Sequence, residues 1–470
     1  MRILLPTGEA TVDQVRKAAE GLEADVVVTG PLASFLTPDQ LRVLIRKDRY
    51  DMVLVSGMCS ASFLEVENET GVPVFRGPRH AADLPLILPY IQEIELSRTI
   101  PADDFLAARR RQEAFRILTQ REVAAGCDFI IRGMKIGGDS RMKVLAEIMD
   151  AHRQVDLYSE VVQFFNHGAD IVDLGFGFDA TPGDVTRCLG AVEEIDGPIA
   201  IDTMEPPLIR AGLFRADLIL SLDETNIPLV AHEVADHGCA VVVLPGERGL
   251  AENIDAARDA GISCLIGDPL LYPVGSGLVT SLSRFCPLSC PSFFGAGNVT
   301  ELLDADSIGI NGLLAGIAHE VGASVIFTSE HSDKTRGSVK EMRRATEMMV
   351  LTKDRPYPKD LGIDLLVLKE KRRRREPPLS YEEVMEALPM PSSLTYDPCG
   401  NFRIGIEGNE IVAIVNGRAV RGKRWVDIFH TILCNRDISL LDHAAYLGAE
   451  LFKAELSLRF GRSYEQDGPF

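Results

Sequence analysis

Short, continuously apolar runs alternate along this chain with longer amphipathic segments. Arg2 to Leu5, Asp25 to Val28, Met52 to Val55 and Val72 to Phe75 are runs of the first kind. Val12 to Glu20 and Pro38 to Ile45 lie between them with helical spacing, and Thr37 stands where it caps the second helix. Unbroken apolar runs of this length suit strands buried on both faces, and their alternation with helices predicts a parallel sheet. Residues 1–92 therefore read as an open α/β domain. Residues 93–124 carry a long helical pattern that bridges to the next domain.

From 125 to 355 the rhythm becomes regular. Strand candidates are Phe129 to Ile131, Ile171 to Leu174, Ile199 to Ile201, Leu218 to Leu222, Ala240 to Leu244, Cys264 to Ile266, Ser292 to Phe294 and Ser324 to Phe327. Helical segments separate them, beginning with Arg141 to Asp150 and ending with Val339 to Thr352 after the last strand. Eight βα units in about 225 residues predict a closed (β/α)8 TIM barrel. The alternative is an open doubly wound sheet that also takes in the strands of the first domain. Residues 356–394 read as a linker holding the basic run Lys371 to Arg375. Residues 395–470 form a small α+β domain. It has a hairpin of Phe402 to Ile406 and Ile411 to Val415, then helices at Val426 to Leu433 and Leu440 to Leu458.

Composition narrows the function classes. The 470 residues are 46% hydrophobic and 25% charged, which is globular, and the formal charge of −20 argues against a nucleic-acid partner. Nine scattered cysteines make no disulfide scaffold, so a reducing cytoplasmic setting is expected. The opening run MRILLPTGEA lacks the apolar core of a signal peptide, and no apolar stretch reaches the ~20 residues of a membrane span.

The informative residues stand at strand ends. Asp202, Asp223, Asp268 and Asn298 follow four different strands and converge on the C-terminal face of a barrel, with Asp173 on the strand before them. Carboxylates and an amide so placed can accept from the donor edge of an amino-pyrimidinone ring, and they can stabilise positive charge growing beside it. Metal binding is a rival use of the same carboxylates. The histidines give it little support: His232 and His237 fall on different sides of a helix, and the CPLSC pair, Cys286 and Cys290, lacks a second pair. No metal site is assigned. His331 stands at a strand end beside Glu330, as an acid–base group or a ligand contact. Arg132 and Lys135 lie in a glycine-rich loop after the first strand candidate, and Lys334 and Arg336 follow the last. Loops at the barrel mouth could bring these four cations to an anion.

Residues 128 to 350 resemble the pterin-binding family, which includes dihydropteroate synthases and methyltetrahydropterin methyltransferases. The resemblance rests on GADIVDLGFGFDATPGD, PIAIDT, ADLILSLDE, the GDP after strand six and FFGAGNVTELLDADSIGINGLLAGIAHEVGA. It implies a TIM barrel of dihydropteroate synthase type. It implies that Asp202 stabilises a pterin methylene cation and that Asp173, Asp223, Asp268 and Asn298 bind the ring. Lys135 would assist catalysis, while Arg132, Lys135, His331, Lys334 and Arg336 would meet the anion or second substrate. The reaction would join an arylamine to a dihydropterin methylene diphosphate in the synthesis of folate or tetrahydromethanopterin-type cofactors, with Mg2+ accompanying the diphosphate.

Several elements depart from the synthase pattern. Leu270 replaces the glycine after Asp268-Pro269, Asn298 replaces a lysine, and the loop Asp179 to Pro182 lacks its arginine. GAGNV instead resembles the methyltransferase branch, in which the asparagine approaches N5 of a methylated pterin. The acceptor is then a thiol or a corrinoid, and a corrinoid would come on a partner protein, because the chain has no DxHxxG motif. A third reading is a non-catalytic pterin-binding or assembly protein. Barrels of this family often form homodimers through their helices. The whole arrangement, including the tail LLDHAAYLGAELFKAE through YEQD, resembles archaeal-type proteins related to dihydropteroate synthase.

Overall fold

The computed structural model describes residues 1–45, 49–285, 288–353, 357–359, 361–369, 382–388 and 395–469. The basic run Lys371 to Arg375 and Cys286 lie outside the described residues. The chain divides into two compact units, Met1–Pro378 and Leu379–Phe470.

The first unit holds two separate parallel sheets. Strands β1 (Ile3–Thr7), β2 (Ala24–Val28), β3 (Met52–Val55) and β4 (Val74–Arg76) pair in the order β2-β1-β3-β4. They do not join the larger sheet, which removes the single open sheet as an alternative. The helix Ala102–Ala124 follows. It begins later than its sequence pattern suggests, because Pro101 takes the N-cap position.

A two-stranded hairpin of β5 (Phe129–Ile131) and β6 (Met134–Ile136) comes next. The second sheet contains β7 (Lys143–Ile148), β8 (Ile171–Gly175), β9 (Ile199–Asp202), β10 (Leu218–Leu222), β11 (Ala240–Val243), β12 (Leu265–Gly267), β13 (Phe293–Phe294) and β14 (Val325–Ser329). Its order is β12-β11-β10-β9-β8-β7-β14-β13, all parallel. A single parallel bridge among the described residues, between Gly267 and Ser292, links the two ends of this order. The fold is thus an eight-stranded βα barrel, nearly closed, flanked by smaller α/β structure. Its interior is filled by Leu145, Ile171, Ala200, Leu218, Leu220, Ala240, Val242, Ile266, Phe293, Val325 and Phe327.

The first barrel strand is Lys143–Ile148, and not Phe129 to Ile131. The spacing of Met142, Leu145, Ile148 and Met149 reads as a helix, but the run is a strand whose alternate residues face inward. Phe129 to Ile131 instead belongs to the hairpin, and Ile131 and Ile136 pack into the barrel interior from its N-terminal end. This moves the loop that carries Arg132 and Lys135. It lies at the end of the barrel opposite the strand C-termini. There Arg132 pairs with Asp217, the residue before β10, at 2.7 Å. The Lys135 ammonium donates to the carbonyls of Glu122, Val123 and Ala125, at 3.1, 3.0 and 2.7 Å. It therefore neutralises the negative end of the Ala102–Ala124 helix.

The second unit is built on the antiparallel sheet β15 (Arg403–Glu407), β16 (Glu410–Val415) and β17 (Arg418–Gly422), covered by the helices Trp425–Asn435 and Leu441–Phe460. The third strand escapes a sequence reading because Arg418, Arg421 and Gly422 dilute its apolar pattern. Asp397 is buried and accepts from Cys399 N, Ser439 N and Oγ, and Leu440 N, while its Oδ2 lies 3.0 Å from His443 Nδ1. Burial would raise this carboxyl, but the donors outweigh it and hold Asp397 well below the usual range. Asp397 thereby ties the start of the last helix to the chain before β15.

The placement of Lys135 gives it a structural role. Lys135→Met should lower stability by roughly 0.3–2 kcal/mol, the scale of a cation at a helix C-terminus. Thermal denaturation checks this, and an unchanged Tm would contradict it.

Candidate functional site

Strand register decides which side chains meet at the C-terminal end of the barrel. Glu147 lies opposite Asp173 across β7 and β8, and Gly175 lies opposite Asp202 across β8 and β9. Leu145, Ile171 and Ala200 line the interior on those three strands. Glu147, Asp173 and Asp202 each follow one of them by two residues, so all three face inward. One carboxylate oxygen from each lies within 4.8 Å of the others. Gly175 leaves room for the group, since a Cβ there would come within 2.7 Å of Glu147 Oε1.

Asp173 is fully buried, and neither of its carboxylate oxygens has a hydrogen-bond partner among the described residues. Burial, and then the charges of Asp202 and Glu147, push it well above the usual carboxylate range. Burial is also the first cause at Glu147, with Asp202, Asp150 and Glu301 adding to it, and that carboxyl is pushed up to about 7. Burial raises Asp202 to about 6. Two unit charges 4.8 Å apart repel by roughly 3–4 kcal/mol at an effective dielectric of about 20. Three such pairs would cost about 10 kcal/mol, which is comparable to the whole stability of a domain. The trio therefore retains protons near neutrality unless a cation joins it.

The other expected residues are distributed around the same end. Asp268 follows β12 and is buried, with Oδ1 accepting from Leu270 N at 2.8 Å. Burial pushes its carboxyl up to about 7, against the lowering effect of that bond. Leu270 takes φ +64, a left-handed backbone that costs a residue with a side chain roughly 1–2 kcal/mol. Asp223 commits Oδ1 to Thr225 N and Oγ1 at 2.8 and 2.5 Å. Asn298 is exposed in the helix Ala296–Glu301 that follows β13.

The β14 loop carries His331, Lys334 and Arg336. His331 is exposed, and its backbone N–H donates to Glu301 Oε1. Lys334 donates to Leu303 O and pairs with Asp304 at 3.1 Å. Arg336 is exposed beside Asp333 at 3.2 Å. Asp173 and Asp202 thus stand in one cluster, and Arg132 and Lys135 stand at the far end.

Sequence reasoning missed Glu147, Asn226 and Arg153. Glu147 sat in a supposed helix. Asn226 is buried and links two loops at the barrel mouth, donating to Met204 O and Ser221 O and accepting from Asp223 N. Arg153 is a cation at this end, pairing with Asp179 at 2.6 Å and Asp150 at 3.6 Å. It carried no sequence signal beyond lying after the first true barrel strand.

The raised carboxyls fix the sign of a pH effect. The folded chain holds protons up to pH 6–7 that the unfolded chain releases near pH 4. This contribution to stability therefore falls as pH rises from about 4 to about 7. In metal-free buffer, Asp173→Asn should raise Tm at pH 8, by roughly 2–4 °C for each kcal/mol of repulsion relieved. It should also flatten the fall in Tm between pH 5 and pH 8. A variant whose Tm drops equally at both pH values would contradict the assignment.

Comparison with known proteins adds the following. The family PterinBD-DUF4346 matches residues 396–467, which fall in the second unit. The acetyl-CoA decarbonylase/synthase complex subunit gamma 2 of Methanosarcina thermophila is 23% identical over 52% of this chain and 56% of its own length. Among solved structures, the Yersinia pestis dihydropteroate synthase with a pterine-sulfa conjugate aligns at TM-score 0.39 and 20% identity, covering 49% of this chain and 99% of that one. The Xanthomonas albilineans dihydropteroate synthase with 4-aminobenzoic acid aligns at TM-score 0.37 and 21% identity, covering 44% and 91%. The uncharacterized protein MJ0107 of Methanocaldococcus jannaschii is 34% identical over 99% of this chain and 98% of its own. The two units therefore occur together in a second protein of nearly the same extent, and this chain belongs to the family of MJ0107.

Proposed function

We propose that the barrel mouth binds a reduced pterin and that the chain is a pterin-dependent transferase of the dihydropteroate synthase kind. The observation that carries this reading is the set of inward carboxylates at the strand C-termini. Asp173 and Asp202 stand on β8 and β9, and Asp268 stands after β12, farther round the ring. A pterin presents amino and ring N–H donors along one edge, and carboxylate oxygens are the acceptors for that edge. The exposed apolar side chains Met149, Phe178 and Met204, on the loops after β7, β8 and β9, offer surface for a flat ring. The PIAIDT and DLGFGF motifs add to it, while the PterinBD-DUF4346 match falls on the second unit, at residues 396–467.

In the synthase reaction the bond from the pterin methylene carbon to the diphosphate oxygen breaks. An arylamine nitrogen bonds to that carbon and gives up a proton. Asp202 would stabilise positive charge on the methylene, and Asp268, with Asp223 and Asn298, would hold the ring. Diphosphate needs positive charge as it leaves, and any Mg2+ that accompanies it would supply part. Of the four cations expected from the sequence, Lys334 and Arg336 stand on the β14 loop. Arg132 and Lys135 are engaged at the other end and are not proposed for this role.

The placement of Arg132 and Lys135 away from the mouth favours a second reading, methyl transfer from a methylated tetrahydropterin, which releases no anion. Asn298 would then face N5, and a thiol or a corrinoid on a partner protein would take the methyl group. The likeness to a subunit of the acetyl-CoA decarbonylase/synthase complex favours a chain that works beside partner proteins.

Titration of the full chain with dihydropterin and with methyltetrahydropterin, followed by pterin fluorescence, tests binding. The account expects saturable binding of at least one, weakened about tenfold or more in Asp268→Asn, the scale of a lost hydrogen bond to a charged group. Diphosphate release with an arylamine selects the synthase, and methyl loss to a corrinoid or thiol selects the methyltransferase. Binding without either reaction would overturn both enzyme readings, and absence of binding would overturn the pterin reading itself.

A further inference from the structure

We propose that Glu147, Asp173 and Asp202 form a site for one divalent cation of the Mg2+ and Mn2+ class, held by protein oxygens. Acidic residues gather on many surfaces without binding an ion, so the grouping alone would decide nothing. Here Asp173 is fully buried and both of its oxygens lack a hydrogen-bond partner among the described residues. A buried polar group without a partner is costly, and protein structures rarely keep one. A cation within reach of that carboxylate supplies the missing partner and removes the repulsion in one step.

The geometry suits such an ion. An octahedral ion with bonds of about 2.1 Å separates its ligand oxygens by roughly 3.0 Å along an edge and roughly 4.2 Å across the centre. The three carboxylate oxygens lie within 4.8 Å of one another, so small side-chain movements suffice. Every ligand is a carboxylate oxygen, the donor type that suits hard cations such as Mg2+ and Mn2+. The strands position the ligands as well. Each carboxylate sits two residues beyond an interior apolar residue on adjacent strands, and Gly175 leaves the space that Glu147 occupies.

This inference stands apart from the pterin reading, although the two share Asp202. A bound cation would also bring positive charge to an end of the barrel from which Arg132 and Lys135 are absent.

Mn2+ alone is the probe. The full chain is first stripped with chelator and then titrated with Mn2+ at pH 7.5, while the electron paramagnetic resonance signal of the free ion is recorded. The expected result is one Mn2+ bound per chain and displaced by Mg2+. Glu147→Gln, Asp173→Asn and Asp202→Asn should each weaken binding by at least roughly 10–100-fold, the range set by loss of an outer partner alone. Circular dichroism identifies any variant that fails to fold, and the remaining ones carry the test. Asp268→Asn should keep its Mn2+ while losing pterin affinity. Absence of Mn2+ binding in the native chain, or binding unchanged in the folded variants of the trio, would overturn the proposal. Either result would leave pterin binding to be judged by its own titration, and Mn2+ binding without pterin binding would sink the pterin reading alone.

Discussion

Three carboxylates face one another inside a ring of parallel strands, and the rest of the barrel mouth follows from how that crowding is relieved. The backbone leaves them little freedom to part. Parallel pairing fixes Glu147 opposite Asp173, and the two-residue period of a strand turns Asp202 toward the same axis. Below them lies a packed apolar layer, so the carboxylates cannot sink, and on either side they meet each other. Protons, a cation, or the positively charged edge of a ligand are the remaining ways to balance them.

The two ends of the barrel are electrostatically unlike. At the strand N-termini the charges are matched. Lys143 pairs with Glu122 at 2.8 Å, Arg141 and Arg343 pair with Asp170 at 2.5 and 3.1 Å, and Arg132 pairs with Asp217. Burial acts to raise Asp170, but the two guanidiniums outweigh it and hold the carboxyl low. At the strand C-termini, Asp173 has no partner among the described residues and Asp268 keeps only a backbone donor. One end is therefore finished as structure, while the other keeps unspent acceptors. The hairpin of β5 and β6 packs Ile131 and Ile136 against the finished end.

Much of this was legible in the chain. Seven of the eight barrel strands stand out as apolar runs, because a strand between the packed barrel interior and the outer helices needs apolar residues on both faces. The aspartates at their ends stand out because polar residues interrupt those runs at the mouth. The strand Lys143–Ile148 was hidden. A barrel strand that carries Lys143 into one end and Glu147 into the other looks amphipathic, and its apolar residues fall on a helical period by coincidence. That one misreading concealed Glu147 and misplaced Arg132 and Lys135, since it made the hairpin loop look like the first loop of the mouth. The convergence of Asp173 and Asp202 needed only strand order. The isolation of Asp173 from every donor among the described residues needed coordinates, because no sequence pattern reports the absence of a partner.

The most direct test of the central claim is the titration of the carboxyl groups themselves. Carbon-13 carboxyl resonances of the chelator-treated chain, followed from pH 4 to pH 9 and assigned with Asp173→Asn and Asp202→Asn, report each proton as it leaves. The account predicts that at least one carboxyl of the Glu147, Asp173 and Asp202 group titrates near neutrality, and that the apparent values of the others fall when one member is made an amide. If all three ionise below about pH 5, in the range of unperturbed side chains, the crowding described here does not exist in solution and the account is wrong.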